Sequence, residues 1–128
     1  MSYYFNTIVA GNFGDVVQKT TEALKKEGFG VLTDIDVTAT LKKKLGVDFK
    51  KYRILGACNP PFAFKALQAE DKIGTMLPCN VIVQEIADGE IEVAAIDPIA
   101  SMQAIKNPDL RDIADQVQRK LKKVIDSL

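Results

Sequence analysis

The sequence predicts an α+β domain in which an antiparallel sheet packs against helices. Three observations support this fold class. First, apolar residues recur at helical spacing in two segments. Second, short segments rich in β-forming residues lie between and after these two. Third, Asp88-Gly89 separates two segments with the alternating pattern of β-strands. An Asp-Gly pair between such runs is typical of a two-residue hairpin, because both central residues of this turn need positive φ. The length of 128 residues suits one domain, residues 1–128.

The boundaries of the elements can be read along the chain. Strands are predicted over residues 3–10, 29–37, 52–58, 79–86 and 90–97. Helices are predicted to begin near Phe13, Thr38, Pro60 and Pro108, three of them preceded by the N-cap candidates Asn12, Asn59 and Asn107. The last helix carries a long apolar stripe with Leu121 in its middle, so we expect it to cross the sheet.

The hairpin turn also predicts how its two strands pair. If Ala87 lies opposite Glu90, then Asn80 falls opposite Asp97 and on the same face. Apolar residues occur on both faces of this hairpin. We therefore expect both faces of the sheet to be covered.

Composition excludes several kinds of chemistry. The chain has no His, which excludes Ser-His-Asp and Cys-His catalysis and His-rich metal sites. Its 17 Lys and Arg balance 17 Asp and Glu, so it lacks the cationic excess on which nucleic-acid binding depends. We expect no nucleic-acid partner. The amino terminus does not resemble a signal peptide and no apolar run could span a bilayer, so we expect no membrane partner and a cytoplasmic location.

Four segments resemble a known family: Gly28–Asp36, Tyr52–Pro60, Leu77–Asn80 and Ala95–Pro98. They are similar to the domain-of-unknown-function family 302, and the resemblance covers nearly the whole chain. It implies a TATA-binding-protein-like topology, β-α-β4-α with an inserted helix, in which a curved antiparallel sheet packs in two layers against helices. The family has no assigned activity. The DNA-binding role of the TATA-binding protein is an analogy of fold alone, and the zero net charge argues against it.

Polar residues flank the ends of two predicted strands. The ligand-binding candidates are Cys58, Asn59, Cys79, Asn80 and Asp97. If the third and fourth strands are antiparallel neighbours, both Cys-Asn pairs lie at one end of the sheet, beside the start of the Pro60 helix. A helix N-terminus offers unpaired amides and lowers the pKa of a nearby thiol. We expect a small-molecule or anion pocket there. The two cysteines are expected to be reduced and near each other.

Three functions remain open at this point. The first is a small-ligand-binding domain that acts as a homodimer. The second is a thiol-dependent enzyme or redox sensor that uses Cys58 or Cys79. The third is a structural interaction module, in which both cysteines are packing residues. A metal site is not expected, because two separated thiols without His do not supply the ligands that Zn²⁺ needs. The sequence identifies no cofactor and leaves open whether the chain is an enzyme.

Overall fold

The computed structural model describes residues 2–128, which form one sheet with helices packed on it. Five strands pair antiparallel in the order β1-β5-β4-β3-β2: β1 Tyr4–Ala10, β2 Gly30–Asp36, β3 Tyr52–Cys58, β4 Cys79–Ala87 and β5 Glu90–Ile96. The helices are α1 Phe13–Lys26, α2 Val37–Leu45, α3 Pro60–Ala69, α4 Pro98–Ser101 and α5 Pro108–Asp126, with a 3-10 helix at Asp71–Met76. The predicted α+β class and the five-stranded antiparallel sheet are confirmed.

Local sequence explains where the long helices begin. The side chain of Asn12 accepts hydrogen bonds from the first-turn amides of α1. The side chain of Asn107 does the same for Asp109 at the start of α5, where Pro108 occupies the first helical position. In the hairpin turn, Gly89 has the predicted positive φ, +74°, but Asp88 does not, so the turn differs from the predicted one, which needs positive φ at both central residues.

The core lies between one face of the sheet and the helices α1 and α5. Leu24 of α1 and Leu121 of α5 are both fully buried in it, against the β4 and β5 side chains Val83 and Val93. Burying side chains of this size stabilises a fold by roughly 1.5–3 kcal/mol each. The prediction that the helices beginning near residues 13 and 108 pack on one face is confirmed.

The opposite face of the sheet has no helix across it in the described part of the chain, so the expectation that both faces are covered is wrong for this single chain. We call it the open face. Ile8 is 56% exposed there, Ile35 47% and Tyr4 39%. Polar side chains such as Asn6 and Glu92 lie among these apolar ones, joined by a 2.9 Å hydrogen bond. This mixed surface is typical of an antiparallel sheet with one solvated side.

The hairpin register differs from the predicted one beyond the turn. Ala87 pairs with Glu90 as expected, but an irregularity between Glu85 and Ala87 shifts the rest by one residue. The pairing ends at Val81 opposite Ala95, so Asn80 does not pair with Asp97. Because the side-chain period of a strand is two, a shift of one residue exchanges the faces.

Candidate functional site

A cavity lies at the end of the sheet where β3 stops and β4 begins. The two strands are antiparallel neighbours, with Ala57 paired to Cys79, so Cys58 and Cys79 lie near each other. The cavity has a volume of about 260 Å³ and is bounded by these strand ends, α3 and α5, and Pro98 of α4. We call it the cysteine cavity. Its volume is slightly below the range usual for small-ligand pockets, about 300–1,000 Å³.

The lining of the cysteine cavity carries no charge. Most of its walls are apolar side chains, and those from α3 and α5 include Phe62, Ala66 and Val117. The polar groups available are the thiols of Cys58 and Cys79 and the amide of Asn59. An apolar cavity with few polar groups favours an uncharged, largely apolar ligand, because burying an unpaired charge costs far more than burying carbon.

The two cysteines occupy different environments. Both are free thiols, and Cys79 is 8% exposed whereas Cys58 is half-buried. Burial raises the pKa of the Cys79 thiol to about 11, and the neighbouring Cys58 adds to the effect. Cys79 is therefore protonated near neutral pH and lacks the thiolate that nucleophilic chemistry requires.

Asn59 has a structural role that the sequence did not reveal. It occupies the N-cap position of α3, as predicted, but its side chain makes no capping hydrogen bond. Instead its Nδ2 donates to the backbone oxygen of Glu27, 3.2 Å away, just after α1 ends. Asn59 is 8% exposed, and its hydrogen bond connects the start of α3 to the end of α1.

The helix start beside the cavity is poor in free amides, contrary to expectation. Its first two residues are Pro60 and Pro61, which have no N–H. The N–H of Ala63 is donated to the backbone oxygen of Asn59 at 2.9 Å. Phe62 alone among the first residues can contribute a free N–H, so this helix start offers little to an anion.

The other two candidate residues lie elsewhere. Asn80 is exposed and borders a different cavity, on the open face. Asp97 caps α4 by accepting a hydrogen bond from the N–H of Ile99, and its carboxylate also accepts one from Gln118 of α5. Cys58, Asn59 and Cys79 thus line the cysteine cavity together, whereas Asn80 and Asp97 are not among its lining residues.

Close packing holds the strand ends that border the cavity. The Leu77–Pro78 peptide bond is cis, and Pro78 lies over Gly56 of β3. A Cβ on Gly56 would come within 2.8 Å of Pro78 Cγ and still closer to Thr33 Oγ1. Glycine at position 56 therefore allows this close approach of β3 to the residue before Cys79.

The sequence did not identify the helical residues that form part of the cavity wall. Ile113, Ala114 and Val117 belong to the apolar stripe of α5, which indicated burial. Met102 comes from the segment after α4, where no clear pattern was visible. The stripe could have suggested these residues, but it does not reveal where the packing leaves a gap.

Two features are absent from the residues that the structure describes. No three Cys, Asp or Glu side chains of residues 2–128 lie close enough together to hold a metal ion. No helix within the same range has the length and apolar character needed to cross a membrane.

Comparisons with known proteins place the chain among proteins without an assigned role. A family model described as "Domain of unknown function DUF302" matches residues 5–128. A crystal structure of an uncharacterized conserved DUF302 protein from Bacillus stearothermophilus superposes with a TM-score of 0.90 at 29% sequence identity, covering 98% of each chain. No curated protein matches the chain.

Proposed function

The chain belongs to the DUF302 family, and from its geometry we propose that it binds a small, uncharged, largely apolar molecule in the cysteine cavity. The observation that carries this proposal is the cavity itself, about 260 Å³ in volume and without a charged residue in its lining. Concave, mostly apolar sites with a few polar groups are the usual binding sites of small molecules. The thiol of Cys58 and the amide of Asn59 can orient one polar group of the ligand.

The structure favours a neutral ligand over the anion that the sequence also suggested. An anion would need donors, and the two prolines at the start of α3 remove two of them. No Lys or Arg lines the cavity to compensate a negative charge. We therefore expect a neutral compound to bind better than its carboxylate analogue.

The thiol-dependent alternative is weakened at one of its two residues. A catalytic or redox-sensing cysteine works as a thiolate, and the raised pKa of Cys79 opposes that form. This alternative therefore depends on Cys58. Alkylation of Cys58 by iodoacetamide at pH 7 should be no faster than alkylation of a small free thiol. A rate at least ten times faster would favour the enzyme or sensor.

Calorimetric titration with three probes tests ligand binding. Benzene and indole represent neutral apolar ligands, and benzoate represents the charged analogue. We expect saturable binding of benzene or indole and at least tenfold weaker binding of benzoate. Saturating ligand should also raise the melting temperature, because binding to the folded state stabilises it.

A pair of matched substitutions separates cavity binding from surface binding. Ala63 borders the cavity from α3, so Ala63→Leu should occupy part of the space and weaken binding at least tenfold. Ala39 is exposed on α2, and Ala39→Leu makes the same change away from the cavity. Undiminished binding in Ala63→Leu would contradict the proposal. So would the absence of binding by both neutral probes in the unaltered protein.

We further propose that the domain acts as a homodimer that closes the mouth of this cavity. Leu32 and Leu67 border the cavity yet are 68% and 45% exposed, and Phe64, one helical turn from Leu67, is 63% exposed. Exposed apolar side chains grouped in this way are typical of interaction surfaces. A second copy would bury them and exclude water from the ligand.

Light scattering after size-exclusion chromatography tests the homodimer. Phe64→Asp should convert a dimer into a monomer. Phe49→Asp should leave the dimer intact, because Phe49, 43% exposed, lies in the segment between α2 and β3 and does not border the cavity. A monomeric mass for the unaltered protein, or equal effects of the two changes, would contradict this part of the proposal.

We also propose a cytoplasmic location, which the free thiols of Cys58 and Cys79 support. Cell fractionation with an antibody against the chain tests it. Recovery in the soluble cytoplasmic fraction is expected, and recovery outside that fraction would contradict it.

A further inference from the structure

A second cavity, on the open face of the sheet, contains chemistry that the cysteine cavity lacks. It measures about 380 Å³ and is bordered by all three tyrosines of the chain, Tyr3, Tyr4 and Tyr52. Tyr3 and Tyr4 meet edge to face, with ring centroids 5.1 Å apart. We call this the tyrosine cavity. Aromatic rings arranged around a space attract cations through the negative charge density of their faces.

A fixed carboxylate lies in the same cavity. Glu92 on β5 accepts hydrogen bonds from Gln84 Nε2 at 2.6 Å and from Asn6 Nδ2 at 2.9 Å. Both donors are neutral amides, so they hold the carboxylate in place without cancelling its charge. Glu92 forms no salt bridge with any residue from 2 to 128.

An unsatisfied acceptor adds to this negative character. Gln84 Oε1 is buried and has no hydrogen-bond partner in the described part of the chain. A buried carbonyl oxygen left unpaired is destabilising, so a ligand N–H that reached it would be favoured. The cavity lining contains no Lys or Arg. The pKa of Tyr52 is raised, mainly by burial and further by Glu92 and Tyr3, which is consistent with these groups being close together.

We infer that the tyrosine cavity binds a small primary alkylammonium ion. Its N–H groups would pair with the carboxylate of Glu92 and with Gln84 Oε1, and its alkyl stem would lie against the tyrosine rings. A neutral alcohol of the same shape lacks the charge, and an anion would be repelled by Glu92. This site is independent of the cysteine cavity, because the two lie on opposite faces of the sheet and share no lining residue.

Tyrosine fluorescence provides a direct measurement, because the chain has no Trp and all three tyrosines border the site. The full chain is titrated with n-butylammonium chloride at constant ionic strength, and 1-butanol serves as the neutral probe. We expect a saturable fluorescence change with n-butylammonium and only a linear, weak change with 1-butanol. Equal responses to the two probes, or no saturation with the amine, would overturn the inference.

Two carboxylates on the open face supply a matched pair of variants. Glu92→Gln should weaken n-butylammonium binding at least tenfold. Glu90→Gln makes the same change two residues away on β5, outside the cavity, and should alter affinity less than twofold. If the two variants bind equally, general surface charge explains the effect and the inference fails.

A third variant keeps the inference testable if Glu92→Gln does not fold, which circular dichroism would show. Tyr3 is 65% exposed, so Tyr3→Leu should leave the fold intact and weaken binding about threefold, as expected for an exposed cation–π contact. Unchanged affinity in folded Tyr3→Leu would overturn the inference. Tyrosine fluorescence that changes with protein concentration alone would mean that a second copy covers this face, which would also overturn it.

Discussion

The stability of the domain should fall at alkaline pH because of one buried thiol. The pKa of Cys79 lies near 11 in the folded protein and near its ordinary value of 9.0 in the unfolded chain. Between these two values the unfolded chain loses the thiol proton and the folded protein keeps it. The unfolded state is then favoured as pH rises, so the stability contributed by the neutral thiol is present below pH 9 and lost as pH approaches 11.

The expected size of this effect follows from the shift of about two pKa units. Linkage gives a loss of about 2 kcal/mol in the free energy of unfolding between pH 7.5 and pH 10.5. Guanidinium unfolding followed by circular dichroism measures it at each pH. Cys79→Ala and Cys79→Ser differ from each other in packing and polarity, but neither carries a titrating thiol at this position. Both should therefore lose about 2 kcal/mol less than the unaltered protein over this pH range.

Equal pH dependence in the unaltered protein and in both variants would refute this reasoning. It would mean that Cys79 titrates in the fold as it does in the unfolded chain, so that its thiolate is accessible. Cys79 could then serve as a nucleophile or redox sensor near its ordinary pKa. The other titrating groups, Tyr52 among them, are common to all three proteins and cancel in the comparison.

Three further changes test the packing by denaturant unfolding. Leu121→Ala should cost about 2–5 kcal/mol, because this fully buried side chain would leave a cavity under the sheet, and an unchanged midpoint would contradict its place in the core. Gly56→Ala should cost about 1–3 kcal/mol, because its Cβ would collide with Thr33 and force the strand ends apart; a neutral result would mean that they separate easily. Asn107→Ala should cost about 1–2 kcal/mol through loss of the cap of α5 and of the 2.8 Å bond from its Nδ2 to the oxygen of Ala69, whereas a cost below 0.5 kcal/mol would make that link dispensable.

Much of the fold could be predicted because its signals are local. The cap at Asn12, the proline at the start of α5 and the turn at Gly89 depend on neighbours within a few residues. The apolar stripe of α5 likewise reports the 3.6-residue period of a helix. For this reason the predicted bounds of the strands and of the two long helices lie close to the observed ones.

The hairpin register could not be predicted from the turn. The irregularity between Glu85 and Ala87 inserts one residue into β4, and the residue types around it do not predict an insertion. That one residue removes the predicted pairing of Asn80 with Asp97 and places Glu92 opposite Gln84, from which it accepts a hydrogen bond. The tyrosine cavity depends also on the pairing of β1 with β5 and of β3 with β4, which the turn does not determine.

The candidate site could be predicted only in part. The proximity of Cys58 and Cys79 follows from antiparallel neighbours joined by a helical excursion, a rule of connectivity. The role of Asn59 depends on a contact with Glu27, 32 residues earlier in the chain, which no local pattern encodes. The shape of the cavity depends on how well helices separated in sequence fill the space between them, which is a property of the packed structure.

An NMR titration of the ¹⁵N-labelled chain with indole tests directly whether the cysteine cavity binds a neutral apolar molecule. Binding in the cysteine cavity predicts saturable shifts of the backbone amide signals of Cys58, Ala63 and Ala114, which border it from β3, α3 and α5. The amide of Ala39 on exposed α2 should not move. Shifts that do not saturate, or that cluster outside the cavity, would contradict ligand binding in the cysteine cavity.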